Sequence, residues 1–147
     1  MKQESYIDSD DFRVGSALNF KGNIRAVAVD DEAEVVTTIV ELMQDFGVEV
    51  VGEIDPYKAF DLIKSYQPDV VILDIIMPGM DGYELATKMA EDENTREIPI
   101  VYLTAKDFKN DLCQSFARGG TMYLKKPFLA EELADSLRIA VSLSKAV

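Results

Sequence analysis

Five short runs dominated by apolar residues, each followed by a stretch with helical spacing, constrain this chain more than any other feature. The runs are Ile24–Val29, Val48–Ile54, Val70–Leu73, Pro99–Leu103 and Met122–Leu124. Runs of this length and character read as strands buried within a sheet. After the first, Val36, Ile39, Val40, Met43 and Phe46 recur on one helical face and Gly47 supplies a stop. Asp55-Pro56 then sets a capping residue before a proline at the first helical position, opening a helix through Phe60, Ile63 and Tyr66 that Pro68 ends. The loop from Met77 to Gly82 leads into a helix carrying Leu85, Ala86 and Met89. Asp107 can cap a further helix with Leu112, Cys113, Phe116 and Ala117 facing inward, stopped by Gly119-Gly120. The last helix is expected from about Ala130 to Ser144. Parallel strands need crossovers, and helical crossovers cover both faces of the sheet. The pattern therefore predicts an α/β fold with a doubly wound, five-stranded parallel sheet.

Residues 1–22 show no sustained period and are expected to form an N-terminal tail or linker, with residues 23–147 as the single domain. The chain has 147 residues and a formal net charge of -12, a balance that repels nucleic acid and anionic membranes. No stretch is long and apolar enough to span a bilayer, and the opening MKQESYIDSDDF lacks the apolar core of a signal peptide, so a cytoplasmic location is expected. Cys113 is the only cysteine and there is no histidine. An internal disulfide, multi-cysteine metal sites, Ser-His-Asp triads and His-ligated zinc are thereby excluded. Chemistry must run on carboxylates, hydroxyls and lysines. No Gly-x-Gly-x-x-Gly follows the first strand and no Walker-type loop is present, which argues against a nucleotide site.

Asp30-Asp31, Asp74, Thr104 and Lys126 each fall at or just beyond the C-terminal end of a predicted strand. That edge is where ligands bind in open parallel sheets. Each residue also has a structural explanation. An Asp pair between strand and helix commonly caps the helix, and Asp74 before a Pro-Gly loop can start a turn. Thr104 can satisfy a backbone group, and Lys126 can be solvated. Four such coincidences on one edge favour a site.

If the strand order is 2-1-3-4-5, strands one and three lie about 4.8 Å apart and the carboxylates of Asp31 and Asp74 converge. A hard dication relieves the repulsion, and oxygen ligands without histidine suit Mg²⁺ better than zinc. Thr104 would then end the adjacent strand, roughly 5 Å away, where a short hydroxyl reaches a phosphoryl oxygen on Asp74. Lys126 follows the strand beyond, roughly 10 Å off, where a long side chain is needed to reach back. Phosphoryl transfer asks for this kind of positioning and charge neutralisation. Asp74 would be the nucleophile, with Thr104 and Lys126 assisting.

The segments VAVDDE, DVVILDIIMPGMDGYEL, IPIVYLTA and GGTMYLKKPF, in this order, resemble the response-regulator receiver family of two-component and phosphorelay signalling, over about residues 24–145. The resemblance implies a flavodoxin-like sheet of order 2-1-3-4-5 and a phosphoacceptor at Asp74. It implies phosphate arriving from a phosphohistidine on a histidine kinase or histidine phosphotransfer protein. The metal, Mg²⁺ with Mn²⁺ as a compatible substitute, would be held by Asp31 directly, by Asp30 more through water, by Asp74, and by the backbone carbonyl of Ile76. Lys126 rather than Lys125 would bind phosphate, because it directly precedes Pro127. Thr104 and Tyr123 would form a switch pair that remodels the face built from the fourth helix, fifth strand and fifth helix. A downstream protein effector would read that face, and dimerisation through it is compatible. Such a chain is not an enzyme on separate substrates: it promotes only its own phosphorylation and dephosphorylation.

Ile76 and Lys106 sit where family members vary and where residue type is linked to phosphate lifetime. An apolar Ile76 cannot orient an attacking water, so slow hydrolysis is expected. Tyr123 could equally be an ordinary aromatic of an edge strand. A degenerate receiver, acting only as a protein-interaction module, is the main alternative, but such members usually lack an acid, the acceptor or the lysine. A Mg²⁺-dependent phosphatase would place an acid two residues after its nucleophile, where this chain has Ala33 after Asp31 and Ile76 after Asp74. A stand-alone receiver and a piece of a longer regulator or hybrid kinase are both compatible with the sequence.

Overall fold

The computed structural model describes residues 23–105 and 122–145. The expected tail at 1–22, the helix expected around 107–117, Lys106 and Cys113 lie outside the described residues. Five strands form one parallel sheet: β1 (Ile24–Val29), β2 (Val48–Glu53), β3 (Val70–Asp74), β4 (Ile100–Thr104) and β5 (Met122–Lys125), in the order β2-β1-β3-β4-β5. The helices among the described residues are α1 (Ala33–Gln44), α2 (Pro56–Tyr66), α3 (Gly82–Ala90) and the C-terminal α4 (Ala130–Lys145).

Alternate residues of β1, β3 and β4 feed two apolar cores. Ala26, Ala28, Val70, Ile72, Val101 and Leu103 pack with Ile39 and Met43 of α1 and with Leu133, Leu137 and Val141 of α4. Val27, Val29, Val71, Leu73 and Tyr102 pack instead with Ala59 and Ile63 of α2 and with Leu85, Ala86 and Met89 of α3. Every residue of β3 and β4 is buried, which accounts for the absence of polar alternation in those runs.

Local chemistry sets the helix starts. Asp55 caps α2 by accepting from the Tyr57 N–H at 2.9 Å, with Pro56 in the first turn, as the Asp-Pro pair predicts. Asp81 and Glu84 form a reciprocal capping box at α3, at 2.8 and 2.9 Å. By contrast, neither member of the Asp30-Asp31 pair occupies the cap position of α1. Glu32 does, and without a side-chain hydrogen bond. Asp30 Oδ1 accepts from the Glu32 N–H at 3.0 Å, just ahead of the helix.

The loop from β3 to α3 is held by a close backbone approach. The Gly82 N–H donates to the Ile75 carbonyl at 2.8 Å. A Cβ on Gly82 would stand 2.4 Å from the Asp74 carbonyl oxygen and 3.0 Å from Ile75 Cα. These are backbone atoms that cannot rotate away, so glycine is required by space rather than by dihedral angle. Gly82→Ala is therefore expected to destabilise the chain by about 1–3 kcal/mol in urea melts, and an unchanged midpoint would show that the loop has slack.

Candidate functional site

Parallel register carries the acidic residues to one edge. Val29 pairs with Leu73, so Asp30, just beyond β1, and Asp74, the last residue of β3, stand at the same level. Both are buried, at 1% and 6% exposure, while Asp31 projects at the exposed lip. Carboxylate oxygens of Asp30, Asp31 and Asp74 all lie within 4.8 Å of one another. Asp74 is the register partner of Leu103, which places Thr104 one step further along β4, also buried.

Lys126 reaches this cluster from the far side of β4. Lys125 pairs with Thr104, and the Lys126 N–H donates to the Thr104 carbonyl at 2.7 Å, fixing the chain as it leaves β5. From there the Lys126 ammonium extends to Asp30 Oδ2 at 3.0 Å and Asp74 Oδ1 at 3.5 Å. Lys125, the last residue of β5, is exposed. Ile76 lies two residues past Asp74 with its side chain half exposed. Tyr123 is half-buried on β5, packed against the core that α2 and α3 cover.

Three carboxylates face one ammonium, and the imbalance shows in the proton affinities. Burial, then the charge of Asp30, pushes the Asp74 carboxyl up to about 6; Lys126 opposes the rise by charge and hydrogen bond, and Asp31 adds a little to it. For Lys126, burial alone would lower the value. Its hydrogen bond to Asp30, with the charges of Asp74 and Asp30, outweighs burial and lifts it above the ordinary lysine range. Lys126 stays protonated at neutral pH.

These features match a hard cation. The donors are oxygen only, clustered within one coordination sphere, and carry more negative charge than Lys126 offsets. Asp30, Asp31 and Asp74 could hold Mg²⁺ with water and one phosphoryl oxygen completing its shell. What position in sequence could not reveal is the part played by Tyr83 and Tyr102. Only in the folded chain does the Tyr102 ring meet those of Tyr83 and Tyr123, and the Tyr83 hydroxyl meet that of Tyr123.

Because Asp74 holds its proton more tightly when folded than in the unfolded value near 3.8, its stabilising contribution is complete below that pH and is lost as pH rises through about 6. Asp74→Asn is expected to match wild type near pH 4 and to exceed it by about 1–2 kcal/mol at pH 7 without metal, after allowing for solvent screening at the mouth. Urea melts across that range measure it; a constant difference would remove the ionisation argument.

Comparison with known proteins places the arrangement. The model of the response regulator receiver domain matches residues 26–138. The probable transcriptional regulator ycf29 of Porphyra purpurea is 36% identical over 110 residues, covering 75% of this chain and 53% of its own length. The chain thus spans about half the length of the curated relatives it matches in this range. Among solved structures, the Vibrio cholerae chemotaxis protein CheY4 superposes with a TM-score of 0.76 at 28% identity, over 81% of this chain and 99% of that one. The receiver domain of the sensor histidine kinase PA1611 of Pseudomonas aeruginosa, with a magnesium ion coordinated in its active-site cleft, gives 0.74 at 27% identity, over 82% and 98%. With its sheet order, its acidic edge and its reaching lysine, the chain belongs to the response regulator receiver domain family.

Proposed function

We propose that this chain accepts a phosphoryl group on Asp74 from a phosphohistidine of a histidine kinase or histidine phosphotransfer protein, and passes the signal to a downstream protein. The observation that carries this reading is the convergence of Asp30, Asp31, Asp74 and the Lys126 ammonium at one sheet edge. Residues 23–147 would form the receiver and residues 1–22 a tail or linker.

In the transfer, an Asp74 carboxylate oxygen attacks phosphorus, the P–N bond of the donor breaks, and the departing imidazole takes up a proton. At neutral pH Asp74 is mostly ionised, as a nucleophile must be. Asp31, Asp74 and the Ile76 carbonyl, with Asp30 more through water, would hold Mg²⁺, which would supply charge neutralisation at the phosphoryl oxygens. Lys126, already within 3.5 Å of Asp74, offers its ammonium to the same oxygens. Thr104 donates its hydroxyl to a phosphoryl oxygen, and Tyr123 responds as the second member of the switch. With net charge -12, the output partner is read as a protein rather than nucleic acid. Among the described residues no helix is long and apolar enough to cross a membrane.

Intact mass after incubation with acetyl phosphate is expected to rise by one phosphoryl group only with Mg²⁺ present, and not at all in Asp74→Ala. Lys126→Ala should slow the gain by about tenfold or more. No gain, even from a cognate phosphohistidine, would favour the degenerate interaction module.

Two further outcomes separate the parts of the site. Mg²⁺ should raise the melting temperature of wild type, since it binds the folded chain alone, and should do so less in Asp31→Ala. The half-exposed, apolar Ile76 offers no hydrogen bond to an attacking water. The acyl phosphate should therefore outlast a time of seconds in Mg²⁺, and a lifetime of only seconds would sink that role for Ile76.

A further inference from the structure

Three tyrosines from three elements meet on the sheet face covered by α2 and α3. Tyr102 of β4 is fully buried, and Tyr123 of β5 is its register partner. Tyr83 enters from the first turn of α3 and is 5% exposed. Its ring meets Tyr102 edge-on, with centroids 5.1 Å apart and planes at 63°. Tyr123 meets Tyr102 the same way, at 5.4 Å and 62°. The hydroxyls of Tyr83 and Tyr123 hydrogen-bond to each other.

This arrangement does more than fill space. A half-buried ring on β5 can occupy more than one staggered direction. Edge-to-face contact with Tyr102 favours the inward one, and the hydroxyl pair adds a directional bond that exists only there. Tyr83 is also tied to the acceptor loop. Its neighbour Gly82 donates to the Ile75 carbonyl and lies so close to the Asp74 carbonyl that no Cβ fits between them. A run of direct contacts therefore leads from Asp74 through Ile75, Gly82 and Tyr83 to Tyr123, and it does not pass through Thr104.

We infer that Tyr83 is a positioning residue for Tyr123: its hydroxyl holds the Tyr123 ring inward while Asp74 carries no phosphoryl group. Tyr83 thereby sets the inward-to-outward ratio from which the switch starts. The switching role of Tyr123 rests on the proposed receiver function; the holding contact does not. A hydrogen bond of this kind shifts such a ratio by about two- to tenfold. Any ligand or partner that selects the inward ring then binds more tightly by the same factor, until that state dominates.

The test uses the full chain carrying fluorotyrosine at position 123, followed by fluorine NMR with a dissolved paramagnetic probe. In the free wild-type chain the signal should be dominated by a ring shielded from the probe. Tyr83→Phe keeps the ring against Tyr102 and removes only the hydroxyl, so its thermal melt should stay cooperative. Its Tyr123 signal should shift toward the probe-exposed ring by about two- to tenfold in population. Beryllofluoride with Mg²⁺, a phosphoryl mimic, should draw both chains to one inward signal, the variant requiring correspondingly more.

A wild-type signal already fully exposed to the probe overturns the proposal, and that result needs no variant to fold. So does a Tyr83→Phe spectrum identical to wild type. Beryllofluoride that alters neither spectrum defeats the receiver reading and the switching role with it. The free-chain comparison separately upholds or defeats the hold of Tyr83 on Tyr123.

Discussion

Asp30 and Asp74 are buried side by side at the end of two neighbouring strands, and Lys126 is the ammonium that reaches both. Like charges at this separation in a half-dry site are costly unless a cation compensates them. Burial, then the charge of Asp30, pushes the Asp74 carboxyl up to about 6, and Lys126 opposes that rise only in part. The residual negative charge suits this edge to a hard dication, in keeping with the proposed phosphoryl acceptor. Stability and function pull against each other here: the apolar strands beneath must tolerate a cluster that a purely structural sheet would not contain.

The rest of the fold can be understood as what holds that cluster in place. β3 and β4 are buried along their whole length, so their register cannot slip without exposing a continuous apolar run. That register carries Asp74 level with Asp30 and sets Thr104 beside the path to Lys126. The Lys126 N–H bond to the Thr104 carbonyl then fixes where the long side chain begins. On the other side of Asp74, the backbone contact at Gly82 and the capping box of Asp81 and Glu84 seat α3 directly behind the acceptor. Backbone contacts thus join Asp74, the loop and α3 into one closely packed unit.

Much of this was legible in the sequence. Strand positions and the doubly wound class followed from short apolar runs alternating with helical periodicity, because burial of a sheet on both faces leaves that mark on every strand. The Asp55-Pro56 start of α2 followed from capping chemistry that is local to three residues. Asp30, Asp31, Asp74, Thr104 and Lys126 stood out because each falls at or just beyond the C-terminal end of a strand, whereas Ile76 and Tyr123 entered only through the family resemblance. Less was legible where two local explanations compete. The Asp30-Asp31 pair looked equally suited to capping α1, yet Glu32 occupies that position and Asp30 turns to accept its N–H while facing the lysine.

By itself, then, the sequence determined the alternation of elements, their buried faces and the identity of the groups available for chemistry, since those depend on side-chain type and near-neighbour spacing. Only the tertiary structure decided which groups meet. The contact of Lys126 with Asp30 spans 96 positions, and that between the Tyr83 and Tyr123 hydroxyls spans 40. Such distances close through sheet register and helix packing, whose free energy is spread over the whole core and written in no local motif. That is why no motif singled out Tyr83, and Tyr102 was one residue of an apolar run, until the fold brought both to Tyr123.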